Sequence, residues 1–235
     1  MLDFIGTIAT ATLMVLIVNA VIVFMAIPRG AKVTLAGILG VWIGLAAAAG
    51  AAGWIAIARP FPIIGIFVAF PLAAAALAAS FPAARAAMLS VPMPLMIWLN
   101  IGRILAVLFF LLENEGRLGG PFPFFAGWGD IITGVAGILV ARLALAGEAK
   151  HVTAIAAWNL FGTADLVNAI VLGVTSAPGS PLQILDAGAG SEAMQQLPWS
   201  FIPTALVPFY LIMHGIIWAQ LWQHAKRGQP VKAAA

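Results

Sequence analysis

Runs of about twenty apolar residues, separated by short stretches in which Arg, Lys, Glu, Pro and Gly collect, repeat along the whole chain. A helix needs roughly 20 such residues to cross a hydrocarbon core of about 30 Å, and the pattern predicts seven crossings. The expected spans are 5–27, 33–58, 61–80, 92–112, 124–145, 152–174 and 199–222. Pro28-Arg29-Gly30 closes the first and Arg59-Pro60 the second. Pro62 and Pro71 predict a kink or a re-entrant segment in the third, because proline removes a backbone donor and obstructs the preceding turn. By the same reasoning Pro208 predicts a break in the outer half of the seventh span, where the Thr204 carbonyl loses its helical partner.

The fold class expected is therefore all-α, a polytopic transmembrane helical bundle in which residues 1–235 form one integral membrane domain. Composition sharpens this. The chain is 63% apolar and 8% charged, against about a quarter charged in a soluble domain, so its surface suits lipid and not water. The net charge is +3, with the basic residues scattered; a nucleic-acid partner has no basic stripe to bind. Without cysteine there is no disulfide, thiolate nucleophile or Cys-based metal site. The segment Met1-Leu2-Asp3-Phe4 has no basic leader, so the first span is expected to be retained.

Arg29, Lys32, Arg85, Arg142, Lys150 and the basic tail fall on one side of the seven-span arrangement. Asp3, Arg59, Glu113, Glu115, Arg117, Asp186 and Glu192 fall on the other. The positive-inside rule then predicts the N-terminus outside and the C-terminus inside. The expected setting is a bacterial cytoplasmic (inner) membrane, with lipid as the bulk partner. In the second span Ala36, Gly40, Gly44, Ala48, Ala52 and Ala56 recur every four residues. Such a ridge lets helix backbones approach closely and predicts a packing partner through Gly40 and Gly44.

Candidate chemistry rests on polar side chains inside the spans. Arg103 lies mid-way along the fourth span with Asn100 on the same face, Asp130 lies in the fifth, and Asp165 lies in the sixth with Asn168 one turn on. Ionised groups at such depths are costly unless paired, hydrated or facing a cavity. At 1.5 Å per residue Asp130 is roughly 9 Å from the outer edge, and Asp165 and Arg103 roughly 14 Å. Asn100, Arg103, Asp130, Asp165 and Asn168 are thus expected to border one outward-facing polar pocket for a small solute or ion. The runs Gly127-Trp128-Gly129-Asp130 and Gly162-Thr163-Ala164-Asp165 are alike, a pattern that an inverted repeat would produce.

His214, deeper in the seventh span, is the candidate proton-transfer residue. It has no second histidine at its level, so haem is not expected, and no other cofactor and no metal site is implied. Phosphate-loop, Gly-x-Ser-x-Gly and His-Glu-x-x-His patterns are lacking, as is a lysine in the seventh span for a retinal Schiff base. The leading expectation is a small-solute or ion transporter or ligand-binding module. The alternatives are a membrane enzyme using an aspartate as acid or base, and an accessory subunit whose ion pairs only hold helices together.

Overall fold

The computed structural model describes residues 1–57 and 60–227. Its regular elements are helices α1 (Leu2–Phe24), α2 (Arg29–Ala51), α3 (Trp54–Ile57), α4 (Pro60–Ala79), α5 (Pro82–Leu89), α6 (Met93–Leu99), α7 (Val107–Asn114), α8 (Pro121–Gly147), α9 (Val152–Ser176) and α10 (Val207–Arg227). A 3₁₀ segment, Asn100–Ala106, joins α6 to α7, and a π-helical segment, Ile202–Leu206, leads into α10. Among the described residues six helical stretches are long and apolar enough to cross a membrane. Phe4, Val15, Val33, Val41 and Leu139 are exposed, as suits helices solvated by lipid on their outer faces.

The boundaries depart from the sequence expectation in instructive ways. Helix α2 stops at Ala51, ahead of the expected 58, because Gly53 takes φ +69° and turns the chain into the short α3. Ala58 and Arg59, where the second span was expected to close, lie outside the described residues, as does Lys232 of the tail. Pro71 does not break α4; the helix runs through it, losing one donor out of a 20-residue ladder. The break comes instead at Ser80-Phe81, where α4 and α5 meet at 109°. Pro82 at the first position of α5 starts the new helix where its missing N–H costs nothing.

Two groups of contacts mark opposite ends of the bundle. At one, Asp3 accepts from Arg117 Nη1 at 2.8 Å and from Trp199 Nε1 at 2.7 Å. This joins the start of α1 to the α7–α8 turn and to the long connection 177–201. That connection is itself anchored: Gly119 N–H donates to Gly190 carbonyl at 2.9 Å and Ser191 Oγ donates to Gly173 carbonyl at 2.6 Å. At the other end Ala26 N–H donates to Ser90 Oγ at 2.8 Å, Gln220 Nε2 donates to the Leu89 and Val91 carbonyls, and His224 pairs with Glu148 at 3.0 Å. The largest apolar core lies between α6, α8, α9 and α10, with α1 closing one side; a separate cluster of Ala46, Ala49, Ile55 and Phe67 holds α2, α3 and α4.

Among the described residues the small-residue ridge of α2 meets no other helix. Ala36, Gly40, Gly44 and Ala48 are exposed, and a Cβ added to Gly40 or Gly44 would find nothing within 4 Å. Helix α2 buries the adjacent stripe, Ala46 and Ala49, instead. Close backbone approach occurs on α8. A Cβ on Gly134 would stand 2.8 Å from Ile104 Cγ1 and 3.1 Å from the Ile101 carbonyl, and one on Gly127 3.0 Å from Phe110. Gly6 is similarly tight: its Cβ would stand 2.7 Å from Trp199. Gly6→Ala should therefore lower stability by about 1–3 kcal/mol through overpacking, despite the gain in helix propensity, whereas Gly44→Leu should leave it unchanged. Thermal unfolding in detergent reads both, and equal melting temperatures for the two variants would contradict this packing.

Candidate functional site

The site begins with a local change of helix type. In a 3₁₀ helix residues i and i+3 eclipse one another, so the segment Asn100–Ala106 stacks Asn100, Arg103 and Ala106 on one buried face. The absence of side chains at Gly134 and Gly137 lets α8 pack closely on the segment beside that face, at Ile101 and Ile104, and Gly102, whose Cβ would collide with Leu13, lets α1 close over the segment. The result delivers a long cationic side chain into the centre of the bundle, where its exposure is 1%.

Helices α8 and α9 supply the acceptors. They run antiparallel in a register that sets Gly129 against Asp165, Thr133 against Gly162 and Gly137 against Trp158, which brings Asp130 and Asp165 to the same level. Arg103 Nε donates to Asp130 Oδ1 and Nη2 donates to Asp165 Oδ2, each at 2.5 Å. Nη1 donates to the Gly162 carbonyl at 3.2 Å and faces His214 Nε2 at 3.3 Å. A guanidinium has only donors, so Nε2 accepts and the ring proton sits on Nδ1, which donates to Asn159 Oδ1 at 2.6 Å. Asn159 answers by donating from Nδ2 to the His214 carbonyl at 3.1 Å. The four helical segments at the core are thereby tied through one side chain.

The two acids differ in surroundings. Asp165, 6% exposed, is packed against Gly129, where any Cβ would overlap its Oδ1. Asp130 is 16% exposed, and its Oδ2 makes no hydrogen bond among the described residues. It lines two cavities. One, of about 70 Å³, runs between α4 and α9 toward Ser191 and Gln195 of the long connection. The other, of about 50 Å³, lies under α1 and is shared with Arg103 and with Tyr210, whose buried hydroxyl has no hydrogen-bond partner among the described residues. Tyr210 also places its ring 5.8 Å from the Arg103 guanidinium carbon.

Of the residues singled out from the sequence, Arg103, Asp130, Asp165 and His214 converge. His214 lies level enough with the acids to touch Arg103 directly, although counting along the chain placed it deeper. Asn100 shares the buried face of Arg103 but, among the described residues, donates only to the Met96 carbonyl at 2.9 Å and leaves its Oδ1 without a partner. Asn168 does not join them. It is exposed, because three residues on from Asp165 the face of α9 has already turned outward. Asn159 is the member that sequence reasoning missed, although a buried amide seven residues into an apolar span is the same kind of signal as Asn100.

Apolar helices closed around a guanidinium shared by two carboxylates define the class: an all-helical bundle, with helices long and apolar enough to cross a membrane and an ion network at its centre. Within that class the chain belongs to the family described as Domain of unknown function (DUF8737), which matches residues 60–222 and so includes Arg103, Asp130, Asn159, Asp165 and His214 but neither α1 nor α2. No curated protein and no solved structure matches the chain.

Removing Arg103 leaves two buried carboxylates facing each other, whereas Asp130→Asn keeps an acceptor for Nε and leaves one carboxylate per guanidinium. Arg103→Leu should cost about 3–5 kcal/mol, the usual penalty for stripping one partner from a buried ion pair, and Asp130→Asn less than about 1 kcal/mol. Chemical denaturation in a fixed detergent compares them; equal losses would show that charge balance does not govern this cluster.

Proposed function

We propose that the protein carries or binds a small solute or ion through a polar pocket centred on Asp130. One observation carries this reading. Asp130 gives one oxygen to Arg103, leaves the other without a hydrogen bond among the described residues and borders two partly open cavities. A network that served only to hold helices together would seal both acids as it seals Asp165. With both acids ionised, the trio holds one more negative than positive charge, and a bound cation or proton at the free oxygen completes the balance. Arg103 acts as the fixed counter-charge, and His214 and Asn159 hold it in place. Both ring nitrogens of His214 are occupied, so proton transfer through it requires one of those bonds to open.

The same reading includes the topology. Counting the bent α4–α5 pair as one span makes seven crossings, with the N-terminus outside, the C-terminus inside and a bacterial inner membrane as the setting. The grouping of Asp3, Arg117 and Trp199 at one end and of Ser90, Gln220, Glu148 and His224 at the other supports chain termini on opposite sides. The larger cavity then opens toward the outer connection. The exposed α2 ridge through Gly40 and Gly44 remains as the face on which another helix would pack.

In proteoliposomes on a solid-supported membrane, concentration jumps of sodium, potassium, ammonium, methylammonium or protons should give a protein-dependent current. Asp130→Asn, which is expected to fold, should abolish it. A current that persists in Asp130→Asn, or none for any cation, would contradict the proposal.

A further inference from the structure

The larger cavity has a chemical character that narrows the ligand. Its walls come mainly from α4 (Ile64, Val68), α8 (Phe122), α9 (Ile170, Gly173) and the π-helical turn (Ile202), and among the described residues Asp130 is the one charged group in its lining. Along α9 it extends from Leu166 to Val174, about 12 Å at 1.5 Å per residue. All of its lining lies within residues 60–222, whereas the smaller cavity borrows Ala9, Thr10 and Leu13 from α1.

Such a chamber is ill suited to a bare metal cation. Sodium-like or calcium-like ions require a shell of about six oxygen ligands, and here one carboxylate oxygen stands at the end of a mostly apolar passage whose other polar side chains, Ser191 and Gln195, belong to the long connection. An entirely apolar occupant would leave the free Asp130 oxygen desolvated and unpaired. A ligand with an apolar body and a single cationic, hydrogen-bonding head meets both conditions. Its head reaches Asp130 Oδ2, and its body lies along Ile170 and Gly173 toward the outer connection.

Resting on the carrier reading above, we infer that the ligand class is amphiphilic monovalent amines, bound head-first on Asp130 in the cavity between α4 and α9. Gly173 keeps the passage open: a Cβ there would stand 3.5 Å from Phe122 Cε2, in ordinary contact, so alanine fits and a longer side chain fills the space. Arg103 shapes the selectivity by occupying Asp130 Oδ1, which leaves room for one head group and repels a second cation.

The test uses the full chain in nanodiscs and a series of primary amines from methylammonium to hexylammonium, with hexanol as the uncharged control. Binding is measured by equilibrium dialysis of radiolabelled amine, and empty nanodiscs give the bilayer background. Above that background, affinity should rise up to about fourfold per methylene, the equivalent of about 0.8 kcal/mol for each buried CH₂. Hexylammonium binding should be lost in Asp130→Asn. In Gly173→Leu it should fall at least tenfold while methylammonium binding is retained, and Val68→Phe on the facing wall should reproduce this if Gly173→Leu does not fold. Three results would overturn the inference: hexanol binding as tightly as hexylammonium, hexylammonium binding undiminished in Asp130→Asn, or affinity independent of chain length. Chain-length independence with loss in Asp130→Asn would remove the amphiphile and leave the carrier reading intact. No binding by any amine, together with no current for any cation, would remove both.

Discussion

The guanidinium of Arg103 is the constraint around which the rest of the bundle is arranged. It is almost wholly buried and spends its donors on three partners from α8 and α9, with a fourth nitrogen contact to α10. A lone charge at this depth is expensive, and the surrounding chain is organised so that it is never alone. Lipid provides no hydrophobic drive for helices to associate, so a charge that four segments must satisfy together is a strong reason for these segments to adopt one arrangement.

Reaching that arrangement requires helices that are locally irregular and unusually close. The 3₁₀ segment aligns Asn100 and Arg103 on one face, which an α-helix would set about 60° apart. Glycines at 129 and 134 remove the side chains that would otherwise hold α8 away from Asp165 and the 3₁₀ segment, and Gly162 does the same for α9 against His214. Ahead of α10 the π-helical turn absorbs Pro208: Val207 N–H reaches back to the Ile202 carbonyl, and a fresh helix begins with Pro208 in its first turn. Pro203 within that irregular turn and Val207 just after it both line the larger cavity, so the irregular backbone borders a cavity, the setting in which such backbone is tolerated at membrane depth.

Much of the fold was legible from hydropathy, because span length is set by bilayer thickness and charges are costly anywhere within it. The convergence of Arg103, Asp130 and Asp165 was legible for the same reason. The depth mismatch between the two acids arose from starting the fifth span at 124; the helix starts at Pro121, a turn earlier, and puts Asp130 about 13 Å in. Direction around a helix was less legible. Asn168 follows Asp165 by three residues yet faces outward, and the tidy four-residue ridge of α2 faces away from the bundle while the less regular glycines of α8 do the close packing. A small-residue repeat states that a backbone can be approached; it does not say which partner approaches it. Asn159 was overlooked because its partner, His214, is 55 residues away, and nothing local connects them.

The central claim is that Arg103 and the two aspartates form one energetically coupled unit. A double-mutant cycle tests this directly, with unfolding free energies in one detergent for the parent, Arg103→Leu, Asp165→Asn and the combined variant. Coupled groups depart from additivity by about 0.5–3 kcal/mol. The expected result is that Arg103→Leu costs markedly less when position 165 is already asparagine, since one fewer carboxylate is left unbalanced. Penalties that add within about 0.3 kcal/mol would contradict the account and reduce the cluster to three independent side chains.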